Sequence, residues 1–343
     1  MAAWVSPPPG VSGLDRRCVL AAFAALAARP ALAASPPVSV HRLSPALDRI
    51  FAPDARMETI ATGIRWAEGP VWLSRERALL FSDPPANLIR RWTRPGGVSV
   101  FLSPSGAADA DPKLVREPGS NGLALDRDGA LLIADSGNRA LARLDLATKR
   151  RTVLADRYQG KRFNSPNDLC VSRAGAVWFT DPPYGLADGD ASPLKELPYN
   201  GVYRWTREGG AVLVDAELTR PNGIALSPDE RRLFVSVSDE SAPRIMVYDL
   251  DAKGDPQGRR VFLDARPLHG PGLPDGMKTA RDGTMFCSAP GGLYVLTPES
   301  EPLGLIASGG PIANCAFGER GTSLFLTAAD RVLRIPFRPG WRA

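Results

Sequence analysis

The chain has 343 residues, of which 44% are hydrophobic, 23% charged and 7% aromatic, with 33 glycines and 33 prolines. That composition supports a sizeable core cut by many turns and excludes a fibrous or disordered protein. The formal net charge is +5, with basic residues dispersed rather than gathered in runs, which argues against a nucleic-acid-binding surface.

Arg16-Arg17 opens the first recognisable element. It is followed by CVLAAFAALAA, an apolar run of 11 residues, and then by Ala31-Leu32-Ala33. A charged start, a short apolar core and a small-x-small exit predict a signal peptide over residues 1–33, cleaved near Ala33. The paired arginines predict the twin-arginine export route of a bacterium, and so a periplasmic or secreted protein. The run is too short to span a bilayer. Residues 34–54 read as an N-terminal extension, and residues 55–338 as the folded domain. Cys18 falls in the leader. Cys170, Cys287 and Cys315 remain, an odd set without a CxxC motif. Their strand-like surroundings predict small buried hydrophobes rather than a disulfide framework.

From Glu68 onward the chain repeats. Six short hairpin-like stretches follow Glu68, Asn121, Asn167, Asn222, Asp275 and Asn314, at spacings of 53, 46, 55, 53 and 39 residues. Each has an alternating apolar run, a polar turn and a β-rich run, as in DLCVSRAGAVWFTD after Asn167. Third runs come next (NLIRRW, ALARLDL, GVYRWT, RIMVYDL, GLYVLTP, RVLRIPF), and most units carry a fourth, such as RTVLAD or RRVFLDA. Six four-stranded units without helices between them predict an all-β six-bladed β-propeller. The last unit stops at its third strand. RMETIAT, residues 56–62, is placed to supply the fourth and close the ring, leaving few exposed edges. Two stacked β-sandwiches are the rival fold, but they leave the sixfold polar marker unexplained.

In a propeller the residue just before each innermost strand lies at one mouth of the central channel. The six markers all carry a carboxylate or an amide, none is Lys or Arg, and only Glu68 and Asp275 are charged. A ring of oxygen donors suits a hard divalent cation such as Ca²⁺, with Zn²⁺, Mn²⁺ and Mg²⁺ as the other candidates. The plainer account is that Asn and Asp ahead of Gly are turn residues. It fits any one of these positions, yet a simple turn would also accept Ser, Lys or Gly.

At these residues the chain resembles the senescence-marker protein 30/gluconolactonase/luciferin-regenerating enzyme family. GIRWAEGPVW, FNSPNDL, FTDPPYG, RPNGIALSPDERRLFVS, PDGMKTARDGTMFCSAPGGLYV and NCAFGERGTSLFLTA carry the likeness, over residues 63–337. The SPND and DPPYG motifs are similar to those of bacterial gluconolactonases. The resemblance implies a six-bladed propeller with one divalent metal at the channel mouth and hydrolysis of small lactones. It implies Glu68, Asn222 and Asp275 as metal ligands. Asn167 matches a position that is a ligand in some members and contacts substrate in others, Asn121 is implied as a substrate contact or neighbour of the ligands, and Asn314 is a further candidate.

Lactone hydrolysis needs a polarised carbonyl, an activated water and relief of charge on the departing ring oxygen. A divalent ion serves the first and last of these, and a carboxylate serves the second. Asp275 is the expected base, with Asp168 as the alternative. Tyr184 and Pro182-Pro183 are expected in the pocket wall, and His269 lies on the loop feeding Asp275. GxSxG is absent and no Ser-His-Asp set is visible, which argues against a serine esterase. A Ca²⁺-stabilised propeller that only binds a ligand, or another metal-dependent hydrolase such as a phosphotriesterase, are the alternative functions.

Overall fold

The computed structural model describes residues 38–343. The predicted leader, residues 1–33, lies outside the described residues. Among those described, six antiparallel sheets of four or five strands follow one another in chain order, each stepping outward from an inner first strand, and a two-stranded ribbon, Arg157–Tyr158 with Lys161–Arg162, lies between the second and third. The first strands are Glu68–Leu73, Leu123–Leu125, Leu169–Val171, Pro221–Leu226, Met277–Thr279 and Asn314–Gly318. The chain is therefore a six-bladed propeller, as the repeats predict.

Second strands such as Leu131–Asp135, Val177–Asp181 and Met285–Ala289 are buried at every position. They read as continuous apolar runs because neighbouring blades cover both faces. The core is consequently not one mass but six seams. Leu80 and Ile89 of blade 1 meet Leu131 and Ala142 of blade 2. Phe163, Phe179 and Tyr203 join Leu132 and Leu141 in the next seam, and Phe325 meets Leu79, Phe81 and Trp92 where blade 6 returns to blade 1.

Ring closure follows the predicted route. Glu58–Thr62 pairs antiparallel with Arg331–Pro336, with Glu58 opposite Arg334 and Thr62 opposite Arg331. Blade 6 is thus built from both ends of the described chain. The stretch read from sequence as a simple extension is more than that. Ser39–Arg42 adds a fifth strand to blade 5, in register with Pro302–Ala307. Beyond it a short 3-10 helix, Pro45–Arg49, brings Leu47, Ile50 and Phe51 into the seam between blades 5 and 6. Cys170, Cys287 and Cys315 are free thiols. Among the described residues no helix is long and apolar enough to cross a membrane.

Candidate active site

All six markers stand at the same end of the ring. Glu68 and Asn314 open their strands, Asn222 is the second residue of its strand, and Asn121, Asn167 and Asp275 lie just ahead of theirs. Glu68, Asn121, Asn167 and Asn222 are 4–7% exposed, and Asp275 is half-buried. These five line one cavity of about 1020 Å³, together with Tyr184, Trp66, Glu117 and Arg220. A second hollow of about 1040 Å³ lies at the other ends of the strands, lined by Trp72, Trp92 and several arginines. It contains none of the markers.

The glycine that follows four of the markers has a packing reason, joined at Gly69 by a positive φ of 48°. Gly122, Gly223 and Gly276 do not have positive φ. A Cβ on Gly223 would stand 2.2 Å from Asp275 O, and one on Gly69 2.1 Å from Asn121 O. At these four positions the blade's inner edge touches the next blade's marker, so only hydrogen fits there. Hydrogen bonds run along the same path, from Gly122 N to Asn167 O (2.7 Å) and from Thr180 Oγ1 to Asn222 O (2.6 Å).

Asn167 and Asn314 are not followed by glycine, and here the structure departs from a simple ring. Asp168 is 2% exposed and does not line the cavity. Its Oδ1 accepts from Leu169 N (2.8 Å) and its Oδ2 from Asn314 Nδ2 (3.2 Å) across the channel. Asn314 Oδ1 in turn accepts from Lys278 Nζ (3.2 Å). Asp168, Asn314 and Lys278 form a polar plug on the channel axis below the mouth. The alternative base and the sixth marker are therefore directed away from the cavity, because their hydrogen bonds are spent on each other. His269 is exposed and also absent from the cavity wall.

The two loop motifs of blade 3 lock each other. Ser165 Oγ donates to Pro182 O and accepts from Gly185 N, both at 2.8 Å. Ser136 Oγ donates to Pro166 O (2.7 Å). These bonds hold the SPND turn, and with it Asn167, against the DPPYG turn that carries Tyr184.

The charge balance of the cavity is unusual. Burial pushes the Glu68 carboxyl up to about 8, and the nearby Asp168 and Glu117 charges add to this against hydrogen bonds from Trp66 Nε1 (3.0 Å) and Gly69 N (3.2 Å). Asp275 is likewise held well above the usual carboxylate range, by burial first and then by Glu68 and Asp168. Among the described residues neither forms an ion pair with Lys or Arg. Asn222 donates through Nδ2 to Ser238 Oγ (2.9 Å), which leaves its Oδ1 as a free acceptor. No group of three or more His, Cys, Asp and Glu side chains stands as a metal cluster among the described residues. A cation here would rely on two carboxylates and on amide oxygens, a donor set that fits a hard divalent ion and would offset the uncompensated charge.

The model of the SMP-30/gluconolactonase/LRE-like region matches residues 66–330. The chain belongs to the SMP-30/gluconolactonase family. Over 303 residues, 86% of this chain and 85% of the relative, it is 50% identical to a gluconolactonase of Zymomonas mobilis. A lactonohydrolase of Aspergillus oryzae is 31% identical over 240 residues, 61% of this chain and 55% of the relative. A gluconolactonase structure from Xanthomonas campestris superposes with a TM-score of 0.76 at 31% identity, over 91% of this chain and 99% of its own.

In this member of the SMP-30/gluconolactonase family the cavity wall also holds residues that the repeats did not announce. Arg116 and Glu117 come from the long connection between blades 1 and 2. Arg116 N donates to Gly185 O (2.8 Å) and Arg116 Nε to Tyr184 O (3.1 Å). An isolated bridge between Val115 and Leu186 completes the strap. Arg220 and Ser238 enter from blade 4. Only an unusually long connection between blades pointed to such contributions, because loop residues carry no repeat signal.

Proposed function

We propose that this chain is a lactonase that opens a small sugar lactone by hydrolysis, with one divalent cation, Ca²⁺, held by Glu68, Asn167, Asn222 and Asp275. One observation carries the reading: a cavity in which a buried carboxylate, Glu68, and a half-buried one, Asp275, face amide oxygens with no Lys or Arg among the described residues ion-paired to either. Half of the aligned residues are identical to a gluconolactonase, which supports the choice of substrate class.

When bound, such a cation polarises the lactone carbonyl and offsets charge that builds on oxygen. Asp275 takes a proton from the attacking water. It is the one charged marker that is half-exposed to the cavity. Trp66 Nε1 and Gly69 N fix the Glu68 carboxylate. Asn121, Asn167 and Tyr184 bind and orient the substrate, and the Ser165 bonds keep their two loops at a fixed separation.

The expected result is hydrolysis of aldonolactones that a chelator abolishes and added Ca²⁺ restores. It is checked by proton release over a panel of aldonolactones, simple γ- and δ-lactones and a phosphotriester. Turnover of the phosphotriester alone would move the assignment to a phosphotriesterase. No turnover with any of Ca²⁺, Zn²⁺, Mn²⁺ and Mg²⁺ would leave a ligand-binding propeller.

The leader is proposed as a twin-arginine export signal, on the strength of Arg16-Arg17, the apolar run and Ala31-Leu32-Ala33. Replacing both arginines by Lys is then expected to trap the precursor inside the cell. Fractionation and immunoblotting check this, and normal export of the variant would refute that route.

A further inference from the structure

We propose that Glu117 is the acid that delivers a proton to the ring oxygen as the lactone opens, an assignment that rests on the lactonase reading above. Opening an aliphatic lactone expels an alkoxide, a poor leaving group unless it is protonated as the bond breaks. In the Glu68, Asn167, Asn222 and Asp275 set the one carboxyl that gains a proton is Asp275, which takes it from the attacking water; a second carboxyl is needed if the ring oxygen is to be protonated independently of that transfer.

The cavity offers few other candidates. Arg116 and Arg220 do not release protons at ordinary pH. Tyr184 lines the wall, but burial pushes its phenol far up, which makes it a weak acid. Asp239 is held down at about 2 by hydrogen bonds from Ser241 and Thr219, so it stays ionised. Glu240 lies exposed at the rim.

Glu117 differs from all of these. It lines the cavity with Glu68 and Asp275, and both feel its charge. Among the described residues its carboxyl has no hydrogen bond and no ion pair, so nothing in the chain holds it in the ionised form except the neighbouring charge of Arg116. Burial dominates over that charge and raises the carboxyl to about 7. The backbone beneath it is anchored, with Glu117 N donating to Gly185 O at 3.3 Å beside the Arg116 bonds to the same turn. A free, half-buried carboxyl that lines the cavity from an anchored loop is how a proton donor is presented to a substrate.

The step balances without any further reactant. The water oxygen bonds to the carbonyl carbon while one water proton passes to Asp275. The bond from that carbon to the ring oxygen then breaks, its electron pair stays on the ring oxygen, and the Glu117 proton joins it. The product is the open hydroxy acid. Asp275 loses its proton and Glu117 regains one by exchange with solvent.

The test is Glu117→Gln assayed on two lactones, glucono-δ-lactone and dihydrocoumarin. The second expels a phenoxide, whose conjugate acid is near pKa 10 and which leaves without help. The expected result is a fall in kcat of about two to four orders of magnitude on the sugar lactone and less than about tenfold on dihydrocoumarin. Metal content and unfolding midpoint should match wild type, and Glu117→Asp should recover part of the lost rate. An equal loss on both lactones, or no loss on either, would overturn the assignment. Wild-type protein inactive on both lactones with every cation would instead sink the lactonase reading itself, before any variant is compared.

Discussion

Asp275→Asn is expected to keep the cation and lose the reaction. The amide retains an oxygen donor at the same place but cannot accept the proton of the attacking water. Turnover should fall by about two to four orders of magnitude, the usual contribution of a general base. Metal content measured on purified protein, alongside kcat on a lactone with Ca²⁺ in excess, checks both halves of the claim. Asp168 cannot substitute, because it is 2% exposed and bonded to Asn314 below the mouth. Full activity in a metal-loaded Asp275→Asn protein would remove Asp275 from proton transfer altogether.

Phe325→Ala is expected to produce the largest loss of stability. Phe325 is fully buried in the seam where blade 6 meets blade 1. Its ring stacks on Trp72 with centroids 5.2 Å apart and approaches Trp92 at 5.9 Å. A propeller is held shut by that seam and by the pairing of Glu58–Thr62 with Arg331–Pro336. Truncation leaves a cavity that flanking strands, pinned by their own ladders, cannot collapse to fill. The expected cost is about 3–5 kcal/mol, the range for removing a buried aromatic ring. Denaturant unfolding followed by tryptophan fluorescence measures it, and a cost below about 1 kcal/mol would show that the closing seam is not a principal contributor.

The seam and the cavity belong to one mechanical unit. Glu68 opens the strand that carries Trp72, so the residue that closes the ring and a proposed cation ligand lie four positions apart on Glu68–Leu73. A β-bulge between Glu68 and Val71 breaks the alternation between them, but both ride on one short strand, and displacement of one end shifts the other. A destabilised closing seam should therefore weaken metal retention before the whole ring unfolds.

Much of the fold was legible in the sequence because its causes are local. Hairpin alternation, turn chemistry and the marker residue recur six times. A blade is a meander of adjacent strands, so its register follows from neighbouring residues alone. The closing strand at residues 56–62 was legible for a related reason: five complete blades and one incomplete blade leave one vacancy to fill. The five markers that meet in the cavity follow from the same repeat, since the first strand of every blade begins at the same height.

What only the tertiary structure decided concerns contacts made after the ring has closed. Ser39–Arg42 becomes an added strand because the outer edge of blade 5 offers unpaired backbone groups, and nothing in its own composition names that partner. The glycines after Asn121, Asn222 and Asp275 read as turn residues in sequence, and Gly69 follows Glu68 at the same position. They are required because the next blade stands within about 3 Å of where a Cβ would be, through its backbone at Gly69, Gly122 and Gly223 and through the Asn314 side chain at Gly276. Asp168 looked like a second carboxylate for the site, but Asn314, 146 residues later, meets it across the channel and draws it below the mouth. Glu117 and Arg116 reach the cavity because their long loop is strapped to the Tyr184 turn of another blade. The sequence by itself determined the repeating blade and the oxygen donors at its inner edge, since both arise within a single hairpin. Which of those donors face the cavity, and which loop residues join them, was decided by ring closure, because only closure brings side chains from different blades within hydrogen-bonding distance.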